Sequence, residues 1–145
     1  MVPRLAATLG LLIVLINGIA CQQKSNPVST SAVPEIVTKS VRVTIDFGDG
    51  FQRLYSSLAC PEGKTVLAVM EDMKVHPHPT TFTYSGSGET AFLTEVEGVK
   101  NEGTGPDKKN WLCWVNGKFG DESFGVHPLM PGDEVLWKFT IWPAK

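Results

Sequence analysis

The fold is decided by the stretch Asn110-Trp-Leu-Cys-Trp-Val-Asn-Gly-Lys-Phe119 together with the later stretch Pro131-Gly-Asp-Glu-Val-Leu-Trp-Lys-Phe139. Asn116-Gly117 stands between two apolar runs and is typical of a type I′ hairpin, because both central residues of that turn need a positive φ. Pro131-Gly132-Asp133 indicates a second turn, since Pro presets its φ and Gly can adopt the left-handed region. The strand after this turn is predicted to place one apolar face toward a core, formed by Val135, Trp137, Phe139 and Ile141.

The earlier part of the domain predicts a hairpin followed by a helix. Residues 41 to 47 alternate apolar and polar side chains, Gly48-Asp49-Gly50 turns the chain, and residues 51 to 58 return as a second strand. Thr65 suits the N-cap of a helix that ends near Lys74. The apolar residues of this helix recur on one face, as Val66, Val69, Met70 and Met73.

Two more strands complete the prediction. Residues 81 to 84 and 92 to 99 are rich in β-branched and aromatic side chains, and residues 101 to 109 form an open loop with three polar turn signals. A hairpin, a helix and then further strands predict an α+β domain in which one helix packs on one face of a mixed sheet.

These pieces together resemble the transcobalamin-like C-terminal domain family, and the resemblance covers about residues 41 to 142. The resemblance implies a β-grasp fold, which is ubiquitin-like, in a domain of unknown function found in secreted bacterial proteins and at the C-terminus of vitamin B12 carriers. It also implies a role in binding, with a cobalamin-like molecule as the ligand that the analogy offers. The domain is predicted to span residues 39–143.

The N-terminus has the pattern of an export signal. Residues 5 to 16 form an apolar run too short to cross a bilayer as a helix, and Ala20-Cys21 follows it like the end of a bacterial lipobox. Residues 1–20 are therefore predicted to be a signal peptide, with Cys21 lipidated, and Gly18-Ile19-Ala20 leaves ordinary cleavage at the same bond as the alternative. Residues 21–38, rich in Ser, Thr and Pro, are predicted to be a disordered tether.

Charge and localisation follow from the same reading. The formal net charge is −2 and the basic residues are scattered, which argues against a nucleic-acid partner, because such partners need a clustered basic face. The predicted localisation is an exported lipoprotein, anchored to the membrane through its N-terminal lipid in the periplasm or at the cell surface.

Cys60 and Cys113 are the cysteines that remain after Cys21. An oxidising compartment permits a disulfide between them, and two buried thiols are the alternative that the sequence leaves open. His76-Pro-His78 could direct two imidazoles to one side of an extended segment, as metal sites do, but His beside Pro is also common in plain loops. No metal site and no cofactor are therefore predicted, with His76 and His78 as the weak candidates.

The aromatic side chains of the last third give the main functional indication. Trp111 and Trp114 fall on opposite faces of one strand, so a sheet with one helix would leave one of them exposed unless a loop covers it. We therefore expect a binding surface at Trp111 or Trp114, with Asn116 and Lys118 at its rim. The alternative is a small apolar cluster beneath the long loop.

Function is predicted accordingly as non-catalytic binding. No set of nucleophile, base and orienting group stands out, so the chain is not expected to be an enzyme. The expected partner is an unknown small molecule, and the alternative is an envelope protein, which would make the domain a protein-protein interaction or scaffold module.

Mass spectrometry of the mature N-terminus tests the predicted leader. We expect cleavage between Ala20 and Cys21 and a glyceryl-linked acyl modification on Cys21. Cys21→Ala should release the domain from membranes with its fold unchanged. An unmodified Cys21, or a chain that keeps Met1, would contradict the lipoprotein prediction.

Overall fold

The computed structural model describes residues 39–142, and the predicted signal peptide, Cys21 and the tether lie outside them. Strand β1 (Ser40–Asp46) and strand β2 (Gln52–Ala59) form a hairpin that precedes helix α1 (Val66–Lys74). Then follow β3 (Phe82–Ser85), a 3₁₀ turn (Gly88–Thr90), β4 (Phe92–Val96), β5 (Val99–Lys100), β6 (Asn110–Val115), β7 (Lys118–Phe119) and β8 (Glu134–Thr140). The predicted α+β class, mostly sheet with one α-helix, is confirmed for this part of the chain.

The strands form two sheets rather than one. The larger sheet has the order β2-β1-β8-β6-β7, and the smaller one has the order β3-β4-β5. β1 and β8 pair in parallel, with Val43 opposite Val135 and Ile45 opposite Trp137, while the other neighbours are antiparallel. The first and the last strand of the domain therefore lie side by side at the centre of the larger sheet.

The predicted strand over residues 92 to 99 is wrong in its second half. Glu97 and Gly98 have φ values of 49° and 83°, so the chain turns there and separates β4 from β5. Glu is not a typical residue at a positive φ. Its carboxylate accepts hydrogen bonds from the backbone and hydroxyl of Thr81, and these contacts, which come from a distant segment, hold it in place.

Helix α1 begins and packs as predicted. The Thr65 hydroxyl accepts a hydrogen bond from the Ala68 amide at 3.2 Å, which satisfies one of the free amides of the first turn. Two more of these amides donate to the segment before β8, from Val66 to the His127 carbonyl and from Leu67 to that of Phe124. The four predicted apolar positions are all buried: Val66, Val69, Met70 and Met73.

The core lies on the inner face of the larger sheet, which we define as the face that carries Ile45, Val135 and Trp137. Helix α1 covers part of this face, and the smaller sheet contributes Leu93 and Val96 to the same core. The opposite, outer face carries Leu54, which is exposed, and Leu136 and Trp114, which are half-buried. Within the described residues, no helix has the length and apolar character that crossing a membrane requires.

Truncating the helix face tests this packing. Met70 is fully buried, so Met70→Ala should lower the free energy of unfolding by about 2–5 kcal/mol through lost apolar contacts and a cavity. Val75 follows the helix and is 85% exposed, so Val75→Ala should cost less than about 0.5 kcal/mol. Urea denaturation of both variants measures the difference, and equal small losses would contradict the assigned helix face.

Candidate functional site

The Asn116-Gly117 turn has the predicted type I′ character, with φ values of 51° and 74°. The Asn116 side chain, predicted to contact a ligand, instead holds two parts of the fold together. Its amide nitrogen donates to the Asp133 carboxylate at 2.8 Å, and its oxygen accepts from the Glu134 amide at 2.9 Å. Lys118 is exposed on β7, so of these two polar residues it is the one left at the surface.

Trp111 is a core residue and cannot be the surface anchor that the sequence allowed. It is 2% exposed, its ring contacts Phe47 and Phe139, and its indole nitrogen donates to the Val99 carbonyl at 2.8 Å. The smaller sheet, which sequence reasoning did not anticipate, brings Val99 to this position. Of the two tryptophans considered, Trp114 is therefore the one that remains near the surface.

Trp114 is the first member of an aromatic row, which we define as Trp114, Phe119 and Trp142. The Trp114 and Phe119 rings are 5.3 Å apart and the Phe119 and Trp142 rings 5.2 Å apart, both in edge-to-face geometry. Trp142 is 57% exposed. Its place in this row was not predicted, because it lies beyond the last strand and only the folded sheet brings it beside the hairpin.

A cleft of about 190 Å³ opens next to the aromatic row, at the edge of β6. β6 pairs with β8 along its whole length, whereas β7 pairs only with Trp114 and Val115, and the chain leaves β6 after the Gly120 amide bonds the Cys113 carbonyl. We call this space the edge cleft, and its main apolar walls are Phe92, Leu93, Leu112, Cys113, Phe119, Phe124, Trp137 and Trp142.

The chemistry of the edge cleft is that of an apolar site with few free polar groups. The Ser123 hydroxyl lies 2.8 Å from the carbonyl oxygens of both Gly88 and Ala91, so it is occupied within the protein. Glu122 is the one charged residue of the lining, and its carboxylate lies 2.9 Å from His127 Nδ1. Burial raises the pKa of the Cys113 thiol to about 12, so Cys113 is a neutral wall and not a nucleophile.

A neighbouring cavity of about 310 Å³ shares Phe92, Leu112 and Trp142 with the edge cleft. Its other side is the loop that begins at Asn101, which the sequence predicted at the rim. The Asn101 amide bonds Leu93 and Trp111, and the Asn110 amide bonds Gly103, so both asparagines fasten this loop to the strands. Leu112, on the outer face, is buried here, as a small apolar cluster under the loop would require.

His76 and His78 line a separate groove of about 510 Å³ beside Arg53 and Tyr55. This groove is larger than the edge cleft, but its polar groups bind one another: Tyr55 donates to the His78 carbonyl at 2.6 Å and Arg53 to that of Pro79 at 2.8 Å. The His78 amide donates to His76 Nδ1 at 3.1 Å, which occupies one of the two nitrogens that a metal could use. Within residues 39–142, no three His, Cys, Asp or Glu side chains form a metal-binding group.

Cys60 and Cys113 are free thiols. Cys60 follows β2 and Cys113 lies on β6, and the two strands β1 and β8 stand between them. Three strand spacings correspond to about 14 Å, which exceeds the roughly 7 Å that a disulfide allows between Cα atoms. The pairing that the sequence left open is therefore not made in this fold.

Iodide quenching of tryptophan fluorescence tests the exposure of the aromatic row. Trp111 and Trp137 are buried and Trp142 is exposed, so Trp142→Phe should remove most of the quenchable emission. Trp111→Phe should leave the quenching constant of the remaining emission high. Unchanged quenching in Trp142→Phe would mean that Trp142 is covered in solution.

Structural comparison places the domain among solved proteins of the same fold. Haptocorrin in complex with Cbi matches with a TM-score of 0.55 and 18% identity over 70% of this chain and 25% of the other, so this chain spans about a quarter of the haptocorrin length. A "putative metal binding protein" from Ruminococcus gnavus ATCC 29149 matches with a TM-score of 0.54 and 14% identity, over 72% of this chain and 99% of the other.

Sequence comparison identifies the family. No curated protein matches the chain. The model of a domain of unknown function, DUF4430, matches residues 63–140, which is more than half of the chain and runs from the start of the helix to the end of β8. Together with the likeness to haptocorrin, this match confirms the transcobalamin-like resemblance, and the chain belongs to the DUF4430 family.

Proposed function

We propose that this chain is a non-catalytic binding module that holds a small apolar molecule in the edge cleft. The observation that carries the proposal is the position of Trp142, which is 57% exposed and stands between two cavities with Phe92, itself 51% exposed, on their other side. Large exposed aromatic rings around one concave opening are typical of ligand sites, because covering them removes much apolar surface from water.

The composition of the cleft supports binding rather than catalysis. Its thiol is protonated, its serine hydroxyl is occupied by backbone carbonyls, and its carboxylate is paired with a histidine at the rim. A catalytic site needs a nucleophile and a base whose reactive atoms point toward a substrate. The lining offers surfaces for packing instead.

The fold comparisons support the same class of function. The order β2-β1-β8-β6-β7, with parallel β1 and β8 and a helix after the first hairpin, is the arrangement expected of a β-grasp domain, and we propose that fold. Haptocorrin in complex with Cbi has a similar domain fold. By this analogy a cobalamin-like molecule is one candidate for the cleft, and an apolar cleft beside an exposed tryptophan suits a large planar ligand.

Export and anchoring belong to the same proposal and rest on the sequence. The apolar run of residues 5 to 16 and the Ala20-Cys21 bond support an exported lipoprotein whose domain stands off the membrane on a Pro- and Ser-rich tether. A binding module held near a membrane would meet small molecules that cross the envelope.

A protein-protein interaction module is the second candidate, and the outer face of the larger sheet favours it. Leu54 is exposed there, and Leu136 and Trp114 are half-buried beside it. An extended apolar surface of this kind suits a protein partner, whereas the concave cleft suits a small molecule.

Titration with the fluorescent probe N-phenyl-1-naphthylamine tests the cleft. Stacked aromatic anchors commonly contribute about 2 kcal/mol or more, so Trp142→Ala should weaken probe binding about 30-fold. Ile141→Ala, which truncates the exposed neighbour of Trp142, should change affinity less than about threefold.

A second pair of variants separates the two candidates. Leu54→Ala and Leu136→Ala remove apolar surface from the outer face and should leave probe affinity unchanged if the edge cleft is the site. Equal probe affinity in Trp142→Ala and the wild-type protein would contradict the proposed cleft. Loss of affinity in Leu54→Ala and Leu136→Ala instead would move the site to the outer face.

A further inference from the structure

Trp137 stands at the centre of the inner face and also forms part of the wall of the edge cleft. It lies between Ile45 on β1 and Cys113 on β6 in the sheet register, and its ring meets the Phe124 ring edge-on at 5.3 Å. It is 3% exposed. Any molecule in the edge cleft would therefore lie against a tryptophan that water reaches very little.

The indole nitrogen of Trp137 has no hydrogen-bond partner. Among the described residues it is the one buried side-chain nitrogen or oxygen atom in this condition. An indole N–H can only donate, so it needs an acceptor, and folded proteins leave few such donors unpaired. Trp111 shows the ordinary solution, because its indole nitrogen donates to the Val99 carbonyl at 2.8 Å.

The lining of the edge cleft does not supply the missing acceptor. The Ser123 hydroxyl is engaged with Gly88 and Ala91, and it also accepts from the Gly125 amide at 3.2 Å. The Cys113 sulfur is a protonated thiol and a weak acceptor. The Glu122 carboxylate pairs with His127. What fills the cleft must therefore supply the acceptor.

We propose that Trp137 Nε1 donates a hydrogen bond to a carbonyl oxygen of the molecule bound in the edge cleft. The inference rests on the proposed function and adds the chemical class of the ligand: an uncharged, planar apolar compound with an acceptor oxygen. Glu122 decides the charge, because it is the one charged residue of the lining, and its carboxylate would repel an anionic acceptor.

The size of the cleft sets how the molecule lies. A space of about 190 Å³ is smaller than the pockets that enclose drug-sized ligands, which hold roughly 300–1,000 Å³. The carbonyl end would enter the edge cleft, and the rest of the molecule would lie against Trp142 and Phe92 toward the neighbouring cavity of about 310 Å³. Trp137 is thus a specificity-determining residue, and Trp142 supplies contact area.

Three matched probes test the inference on the full chain labelled with ¹⁵N-tryptophan, whose four tryptophans give four indole signals. The probes are 2-acetylnaphthalene, which has a carbonyl oxygen, 2-ethylnaphthalene, which has the same body without an acceptor, and 2-naphthoate, which is anionic. Trp137→Phe identifies the Trp137 signal, and if this variant does not fold, contacts between the indole proton and the Phe124 ring identify it in the wild-type protein.

The expected result is specific to the carbonyl. The acetyl probe should move the Trp137 indole proton downfield and slow its exchange with water, while the ethyl probe moves the Trp142 signal alone. The naphthoate probe should bind more weakly than the acetyl probe. Trp137→Phe should lower affinity for the acetyl probe about fivefold, as for loss of one neutral hydrogen bond, and leave affinity for the ethyl probe within about twofold.

Each other outcome overturns the inference in a recognisable way. If the acetyl and ethyl probes bind equally and leave the Trp137 signal in place, the donor role fails while the edge cleft stands as the site. If the Trp137 proton is already protected in the free protein and no probe changes it, a trapped water is its acceptor. If no probe perturbs either Trp137 or Trp142, the inference and the proposed function fail together.

Discussion

The parallel pairing of β1 with β8 is the constraint on which the rest of the structure depends. It joins the two ends of the domain at the centre of the larger sheet and sets Ile45 opposite Trp137. Parallel neighbours cannot be joined by a tight turn, so all the intervening chain must cross between them. That chain supplies the helix, the smaller sheet and β6, which together cover the inner face and enclose the core.

The same constraint creates the candidate site. β8 carries Trp137 inward and then delivers Trp142 beyond the last strand, while β6, its partner, is paired along only part of its other side. The cleft therefore combines a buried indole nitrogen without an acceptor, an exposed tryptophan and a charge of one sign at Glu122. These features suit recognition of an uncharged apolar molecule better than any reaction, because the lining has no free reactive group directed into the space.

Local chemistry made some of these features predictable. The Thr65 cap, the four buried residues of helix α1 and the Asn116-Gly117 turn each depend on neighbours within a few positions. The turn at Glu97 was missed because a distant contact with Thr81 stabilises it. The choice between Trp111 and Trp114 was open for the same reason, since strand alternation assigns residues to opposite faces but does not say what covers each face.

The sequence by itself determined the α+β class, the helix and its buried face, the hairpin turn, and the export pattern that precedes the domain, because periodicity and turn chemistry are local properties. Only the tertiary structure decided that the strands divide into two sheets, that Trp111 is buried, that Cys60 and Cys113 stand apart, and that Trp137 and Trp142 border one cleft. These properties depend on which distant segments meet, and pairing across about a hundred residues leaves no periodic signal in the chain.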